Sequence, residues 1–109
     1  MEKKIDEIDF EKGNGLVPVI VQDINSKEVL TLAYCNKESL ELTKQTGNSW
    51  FWSRSRKKLW MKGEESGNVQ KVKDILVDCD LDAIIYLVEP SGPACHTGEK
   101  VCFHNKLSK

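Results

Sequence analysis

Three aspartates within five consecutive residues form the densest chemical signal of the sequence, the string Asp78-Cys79-Asp80-Leu81-Asp82. In an extended strand, side chains alternate between two faces, so the three carboxylates would share one face and Cys79 would lie on the other. Carboxylates crowded in this way repel one another, and a hard divalent cation relieves that repulsion. The string therefore predicts a site for Mg²⁺ or Ca²⁺ at Asp78, Asp80 and Asp82. The alternative is an acidic strand end exposed to solvent.

A calcium-binding EF-hand loop would place carboxylates at the same spacing, with Glu89 as its last ligand. Its sharp turn requires a glycine where this sequence has Ala83. Residues 84–88 read Ile-Ile-Tyr-Leu-Val, which is typical of a buried strand and not of a polar loop. The sequence therefore excludes an EF-hand.

Three of the four cysteines, Cys79, Cys95 and Cys102, lie in the C-terminal part of the chain. The sequence begins MEKKIDEIDF, without the apolar stretch of a signal peptide, so we expect metal binding or catalysis and not disulfides. Three thiolates suit Zn²⁺ and leave the fourth tetrahedral position open for water, as in catalytic zinc sites. Because no C-x-x-C pair is present, an alternative stays open: Cys79 is a small buried core residue and the other two are incidental.

His96 follows Cys95 in a segment bracketed by Pro93 and Gly98, which favours a loop that displays its side chains. Histidine side chains titrate near neutral pH, so His96 can serve as a general acid or base, or as a fourth zinc ligand. The alternative is a neutral histidine hydrogen-bonded to the backbone. His104, near the end of the chain, has no predicted role.

Residues 50–62, WFWSRSRKKLWMK, combine three tryptophans with several cations and contain no acid. Cations and hydroxyls bind phosphate and aromatic faces stack on purines, a mixture that nucleotide sites and single-stranded nucleic-acid modules share. The alternative is a two-faced hairpin with aromatics in the core and cations in solvent. Sixteen basic residues against seventeen acidic ones give a net charge of −1, which provides no reason to expect nucleic acid or a membrane as a partner.

The length and composition predict one small globular domain to position these side chains. The chain has 109 residues, of which 39% are hydrophobic and 30% charged. A core of this size is modest, so dimerisation or a bound metal would help to stabilise it. No apolar run approaches the ~20 residues of a membrane span, and the expected location is the cytoplasm.

Apolar periodicity predicts an α+β domain that is predominantly β, with one main helix at about residues 36–46. Asn36 can cap that helix and Gly47 can end it. Ile5 and Ile8 at helical spacing indicate a further short amphipathic helix near the N-terminus, within residues 1–12.

Pro18 lies in the first apolar run and predicts either an edge strand or the beginning of a strand at this point. The other predicted segments are hairpin strands at 16–22 and 28–34, paired strands at 49–55 and 59–62, an extended segment at 69–82, a strand at 83–88 and a frayed tail at 104–109. Cys35, which directly follows the second of these strands, is expected to be a buried structural thiol.

Five sequence strings are characteristic when they are considered together and in their order along the chain. They are GLVPVIVQD, LAYCN, WFWSRSRKKLWMKGEESGNVQ, DCDLDA and GPACHTGEKVCF. Together they closely resemble the phosphoribosyl-AMP cyclohydrolase family of histidine biosynthesis. The resemblance extends from about Gly15 to Phe103, the expected core of a single domain over residues 1–109.

The resemblance implies hydrolysis of the N1–C6 bond of the adenine ring in 1-(5-phosphoribosyl)-AMP, which yields the phosphoribosylformimino imidazole carboxamide ribotide. It also implies an obligate homodimer, with a zinc ion held by three cysteines shared between subunits and a magnesium ion held by three aspartates. The matching residues are Cys79, Cys95 and Cys102 for zinc and Asp78, Asp80 and Asp82 for magnesium.

For this reaction we expect zinc-activated water to attack C6 while His96 moves the proton. Magnesium would orient a substrate phosphate, and the candidate phosphate contacts are Arg54, Ser55, Arg56 and Lys62. Two other classes of protein are alternatives to this enzyme interpretation. A structural zinc module would close its site with four ligands, and a single-stranded RNA binder would show steep salt dependence.

Overall fold

Six β-strands and one α-helix build the fold in a computed structural model that describes residues 2–108. The elements are β1 (Val17–Asp23), β2 (Val29–Cys35), α1 (Lys37–Thr46), β3 (Trp50–Ser53), β4 (Lys58–Met61), β5 (Gln70–Val77) and β6 (Ile84–Pro90). Two single-turn 3-10 helices, Ile5–Glu7 and Glu11–Gly13, precede them. The prediction of a β-rich α+β fold with one main helix is confirmed.

Four strands form one sheet in the order β2-β1-β6-β5, and β3 pairs with β4 in a separate hairpin. β1 and β6 run parallel, whereas β2 is antiparallel to β1 and β5 is antiparallel to β6. Every second side chain of the two central strands is buried, because strand side chains alternate between the faces of a sheet. These buried residues define the inner face: Val17, Val19 and Val21 on β1, and Ile84, Tyr86 and Val88 on β6.

Pro18 is the second residue of β1, so the predicted beginning of a strand is confirmed, whereas the alternative of an edge strand is wrong because β1 is central in the sheet. Pro18 is opposite Tyr34 of β2, but the pairing of β1 with β6 begins only at Val19. Proline has no backbone N–H to donate to a sheet. It is tolerated here because this end of β1 has a strand neighbour on one side only.

The residues that flank α1 explain where this helix begins and ends. The Asn36 side chain accepts a hydrogen bond from the backbone N–H of Ser39 at 2.9 Å, and the Asn36 N–H donates to the Ser39 hydroxyl at 2.9 Å. Gly47 adopts the left-handed conformation, with φ 78°, that ends many helices. The predicted helix is confirmed. Its inner side reaches the sheet through Thr43, whose hydroxyl lies 3.1 Å from that of Tyr86.

The β3–β4 hairpin has an apolar and a charged side, as its alternative interpretation predicted. Phe51 is buried, with its ring centroid 4.9 Å from that of Trp60 and 5.7 Å from that of Tyr86. Arg54 and Arg56, at the hairpin turn, are exposed. The hairpin therefore closes the core on one side and presents cations to solvent on the other.

The N-terminal segment forms two separate 3-10 turns, so the amphipathic helix predicted over residues 1–12 is wrong for the described part of that range. The Asp9 N–H donates to the Leu81 carbonyl oxygen at 2.8 Å, outside the segment, in place of a helical partner. Ile8 is buried and joins the core. Met1 lies outside the described residues. The segment is therefore shaped by its contact with the turn between β5 and β6.

At the other end of the chain, residues 103–108 contain neither helix nor strand and are exposed. Within residues 2–108, none of the helices has the length and apolar character that crossing a membrane requires.

Candidate metal centre and substrate pocket

The β5–β6 turn carries the three aspartates. β5 ends just before Asp78, and Leu81 takes a left-handed backbone conformation with φ 64°. The Asp78 carboxylate accepts hydrogen bonds from the backbone N–H groups of Asp82, at 3.0 Å, and Ala83, at 3.2 Å. The extended segment predicted over residues 69–82 is therefore confirmed only as far as Val77, because the chain reverses over residues 78–82. Cys79 does not lie on the opposite face of a strand.

The turn nevertheless brings the three carboxylates together. A ligand oxygen from each of Asp78, Asp80 and Asp82 lies within 4.8 Å of the others. Asp78 and Asp80 are exposed and Asp82 is half-buried. A cluster of oxygen donors suits a hard cation, and Mg²⁺ binds through one or two carboxylates while it retains several waters. These residues fit a magnesium ion.

Lys12 reaches this cluster from the N-terminal segment. Its Nζ lies 2.8 Å from Asp82 Oδ2 and 3.5 Å from Asp80 Oδ2. Hydrogen bonding to Asp82 raises the pKa of Lys12, and the same contact lowers the pKa of Asp82. The hydrogen bond with Asp82 raises the pKa of Asp80. Sequence reasoning missed Lys12 because 70 residues separate it from Asp82.

Cys95 and Cys102 lie on the loop after β6, called here the cysteine loop (residues 94–102). The Cys95 N–H donates to the Glu99 carbonyl oxygen at 3.1 Å, which folds the loop back on itself. The Cys102 N–H donates to the Leu30 carbonyl oxygen at 2.7 Å, which fastens the loop to β2. Both thiols are half-buried.

The surroundings of Cys95 favour its thiolate. The Thr97 hydroxyl donates to the Cys95 sulfur at 3.1 Å. The hydroxyl and the backbone N–H of Thr97, together with the Cys102 thiol and the charge of His104, outweigh desolvation and lower the pKa of Cys95. The thiolate is the form that binds metals, and soft sulfur ligands select ions such as Zn²⁺. Cys95 and Cys102 therefore fit two positions of a zinc site.

Cys79 is exposed in the β5–β6 turn, so the alternative that it is a buried core residue is wrong. Among residues 2–108, only the three aspartates form a group of three or more side chains close enough to hold one metal ion. One copy of the chain therefore does not bring Cys79 together with Cys95 and Cys102.

Each of the two histidines closely follows one of these cysteines along the chain. His96 is exposed and adjacent to Cys95. His104, which sequence reasoning left without a role, lies near enough to influence the Cys95 thiol, and its Nδ1 is 3.1 Å from the Val101 carbonyl oxygen. The one available signal for His104 was its position two residues after Cys102.

The four predicted phosphate contacts line two cavities, and Trp60 lines both of them. Arg54 and Ser55 line an open cavity of about 500 Å³ with aromatic residues that include Trp60. Arg56 and Lys62 line a second cavity of about 180 Å³, to which Trp60 also contributes. The Arg54 guanidinium stacks on the Tyr34 ring, 3.8 Å from its centroid. Aromatic surface and cations are therefore combined at the hairpin, as the sequence indicated.

Cys35 is buried at the end of β2, as predicted. Burial raises the pKa of its thiol to about 12, although hydrogen bonds with Tyr86 and Ser39 oppose the shift. A thiol in this state is neutral and chemically inert, so Cys35 belongs to the core and not to the site.

The fold and its displayed side chains define a small α+β domain with hard and soft candidate metal ligands on loops at the ends of its strands. Comparison with known sequences identifies the class more closely. The profile of the phosphoribosyl-AMP cyclohydrolase family matches residues 31–104. The chain belongs to this family, and it is an enzyme of the hydrolase class.

Curated relatives match nearly the whole chain. A phosphoribosyl-AMP cyclohydrolase of Nitrosopumilus maritimus is 79% identical over 107 residues, which are 98% of this chain and 99% of the relative. The corresponding protein of Archaeoglobus fulgidus is 58% identical and covers 93% of each chain. A histidine biosynthesis bifunctional protein of Bacillus subtilis is 63% identical over 93% of this chain, which spans 48% of that longer relative.

Proposed function

We propose that this chain catalyses the hydrolytic opening of the adenine ring of 1-(5-phosphoribosyl)-AMP, at the N1–C6 bond, in histidine biosynthesis. The observation that carries the proposal is the β5–β6 turn, which displays clustered carboxylates and an exposed thiol side by side in a member of this family. Residues 1–109 act as a single domain in this proposal. The four free cysteines are in keeping with a reducing cytoplasmic location.

The zinc ion would be held by Cys79 of one subunit and by Cys95 and Cys102 of the other. Two features support this sharing. Cys79 stands apart from the other two within one chain, and Cys95 contacts Cys102 in a setting that lowers the Cys95 pKa. A zinc ion with three protein ligands supplies an activated water for attack on carbon.

The outer face of the sheet supports a homodimer. It carries an apolar row with one residue from each strand, aligned by the strand register: Leu32, Ile20, Ile85 and Leu76. Leu32 is 45% exposed and Leu76 is 44% exposed. Exposed contiguous apolar surface marks an interaction site, and the divided cysteine set calls for a second copy of this chain. We assign this outer-face row to the dimer interface.

His96 is the residue that we assign to proton transfer. Water adds to C6, the C6–N1 bond breaks, and C6 becomes the carbon of the carboxamide. The proton released by the water must reach N1, which leaves as the formimino nitrogen. Three thiolates give the zinc site a net negative charge, which makes its water harder to ionise than in a site with neutral ligands, so a neighbouring base is needed. His96 is exposed and adjacent to Cys95.

Substrate binding in this proposal uses the hairpin cations and the aspartate cluster. Arg54 and Ser55 in the larger cavity, and Arg56 and Lys62 in the smaller one, would bind the phosphates. Trp60 would offer its ring to the purine. A magnesium ion at the aspartate cluster would orient a phosphate.

The proposal is tested by following the ultraviolet change as the purine becomes an imidazole carboxamide. Protein stripped with a chelator is assayed alone, with zinc, with magnesium and with both. We expect turnover that requires both ions, and His96→Ala to retain zinc but lose most turnover. A folded, zinc-loaded dimer without any ring opening would contradict the proposed reaction. Normal turnover by zinc-loaded His96→Ala would contradict only the role of His96.

A further inference from the structure

Lys100 lies on the cysteine loop between the two cysteines and extends across to the turn that joins β1 and β2. Its Nζ lies 3.3 Å from Asp23 Oδ2 and 2.5 Å from Glu28 Oε1. A third contact, 3.4 Å long, reaches the hydroxyl of Ser26. These contacts span more than 70 residues of sequence and connect the cysteine loop to the far end of the β1–β2 hairpin.

Asp23, one of the carboxylates that Lys100 contacts, is held in place by the fold. The Asp23 side chain is only 7% exposed, whereas that of Lys100 is 50% exposed. Backbone N–H groups of Asn25, at 2.9 Å, and Ser26, at 3.2 Å, donate to Asp23 Oδ1, which leaves Oδ2 for the ammonium. A buried carboxylate held in this way differs from the mobile partners of an ordinary surface ion pair, which contributes little to stability.

On the cysteine loop, the backbone of Lys100 is linked to the neighbourhood of both thiols. The Lys100 carbonyl oxygen accepts a hydrogen bond at 3.1 Å from the N–H of Ala94, the residue before Cys95. Lys100 also stands two residues before Cys102, whose own N–H is bound to β2. The backbone of Lys100 therefore supports the Cys95 end of the loop while its side chain anchors the loop to the β1–β2 turn.

We propose that Lys100 is a positioning residue that, through Asp23 and Glu28, holds Cys95 and Cys102 at the separation a thiophilic metal ion requires. The proposal rests on the zinc site described under the proposed function. In this role Lys100 contacts Asp23, Glu28 and Ser26, and neither the metal nor the substrate is among its proposed partners. Its role is to restrict the loop before the metal binds, so that less ordering has to accompany binding. Side chains that orient metal ligands in this way change metal affinity by about 10- to 100-fold when they are removed.

The test measures Co²⁺ binding by the full chain after chelator treatment, through the absorption of cobalt–thiolate bonds. We expect Lys100→Met to raise the Co²⁺ dissociation constant about tenfold or more. Lys100→Arg should restore affinity to within about threefold, because a guanidinium can contact two carboxylates. The matched control is Lys106→Met, which removes an exposed lysine from the C-terminal tail and should change nothing.

The melting temperature of the metal-free variants separates positioning from general stability. A Lys100→Met protein that binds Co²⁺ as tightly as wild type overturns the proposal, whatever its melting temperature. If Lys100→Met does not fold, Glu28→Gln provides the test, because it removes one exposed contact of Lys100. It should weaken Co²⁺ binding by about threefold. Unchanged Co²⁺ affinity of Glu28→Gln would equally overturn the proposal. Absence of cobalt–thiolate absorption in the wild type would instead contradict the zinc site itself, and this proposal with it.

Discussion

Individual side chains divide the proposed site into hard and soft halves. Asp78, Asp80 and Asp82 offer only oxygen, whereas Cys95 and Cys102 offer sulfur, and these donor types select different ions. Residue types alone were enough to predict both halves. The sequence could not reveal Lys12, because it approaches the aspartates through a tertiary contact. For His104 the one local signal was its position two residues after Cys102, which did not indicate its influence on Cys95.

Lys12 and a divalent ion compete for the same carboxylates. Lys12→Met removes the ammonium that contacts Asp80 and Asp82, so a cation that binds there no longer has to displace it. We expect Mn²⁺ to bind more tightly by roughly two- to fivefold, a range typical of an exposed ion pair. The measurement is a Mn²⁺ titration followed by electron paramagnetic resonance, with Lys106→Met as the control. Weaker Mn²⁺ binding by Lys12→Met would contradict this competition.

Arg54 gives a residue-scale prediction for substrate recognition. Its guanidinium is held over Tyr34 in the larger cavity beside Trp60, so charge reversal there places a carboxylate where a phosphate is expected. Arg54→Glu should raise KM about tenfold or more and change kcat much less. Lys58→Glu is the matched control, because Lys58 is an exposed cation of the same hairpin that lines neither cavity. An unchanged KM for Arg54→Glu would exclude Arg54 from the site.

Secondary-structure elements could be predicted where their signals are local. Asn36 and Gly47 bound α1 through contacts within a few residues, and the helix was found. The β5–β6 turn was predicted as a strand because alternating aspartates also fit a strand, and the left-handed conformation of Leu81 is unusual for that residue. Pro18 correctly indicated the beginning of a strand, but it could not distinguish an edge strand from a central one, because strand order depends on which distant segment pairs with β1.

The β1–β2 turn gives an element-scale prediction about pH. Burial alone would raise the pKa of Asp23, but hydrogen bonds from Asn25 and Ser26 and the ammonium of Lys100 lower it below its ordinary value. A carboxyl group whose pKa is lower in the folded state stabilises the fold above the unfolded pKa of about 4. That stabilisation is lost as the pH falls through the folded-state pKa.

Asp23→Asn should therefore lower the free energy of unfolding by about 1–3 kcal/mol at pH 7. The difference from wild type should shrink as the pH falls below about 4, where the wild-type carboxylate becomes protonated. Glu28 and Lys100, the charged groups that face Asp23, remain in both proteins. Urea denaturation at pH 7 and pH 3 provides the measurement. A difference that is equal at the two pH values would contradict the account.

Features of the whole molecule were the hardest to predict from the sequence. The core of the sheet followed from alternating apolar residues, but the apolar row on its outer face depends on the register of four strands that are distant in sequence. The separation of Cys79 from Cys95 and Cys102 likewise depends on tertiary structure. The resemblance to the family, and not any residue pattern, provided the expectation that two subunits share one zinc ion.

Charges introduced into the outer-face row should separate the subunits. Leu32→Glu combined with Leu76→Glu alters two half-exposed positions that a single copy of the chain already leaves accessible, so each subunit should still fold. Sedimentation should show a monomer, and ring opening should be lost with the dimer. Leu107→Glu, at a residue that is 94% exposed in the tail, should remain dimeric and active. A double variant that stays dimeric would exclude this face from the interface.

The most direct test of the account is subunit complementation, because it asks whether the ring-opening site forms between two copies. Cys79→Ser and Cys95→Ser are each expected to be inactive alone. In a mixed dimer, one site combines the intact Cys79 of one chain with the intact Cys95 and Cys102 of the other. Random pairing should then restore about a quarter of wild-type turnover, since about half the dimers are mixed and each has one intact site.

The control mixes Cys95→Ser with Cys102→Ser, whose defects lie on the same half of the site, so no pairing yields an intact set. The account predicts ring opening in the first mixture and none in the second. Mixed dimers of Cys79→Ser and Cys95→Ser that form, bind substrate and remain inactive would contradict a zinc centre shared between subunits.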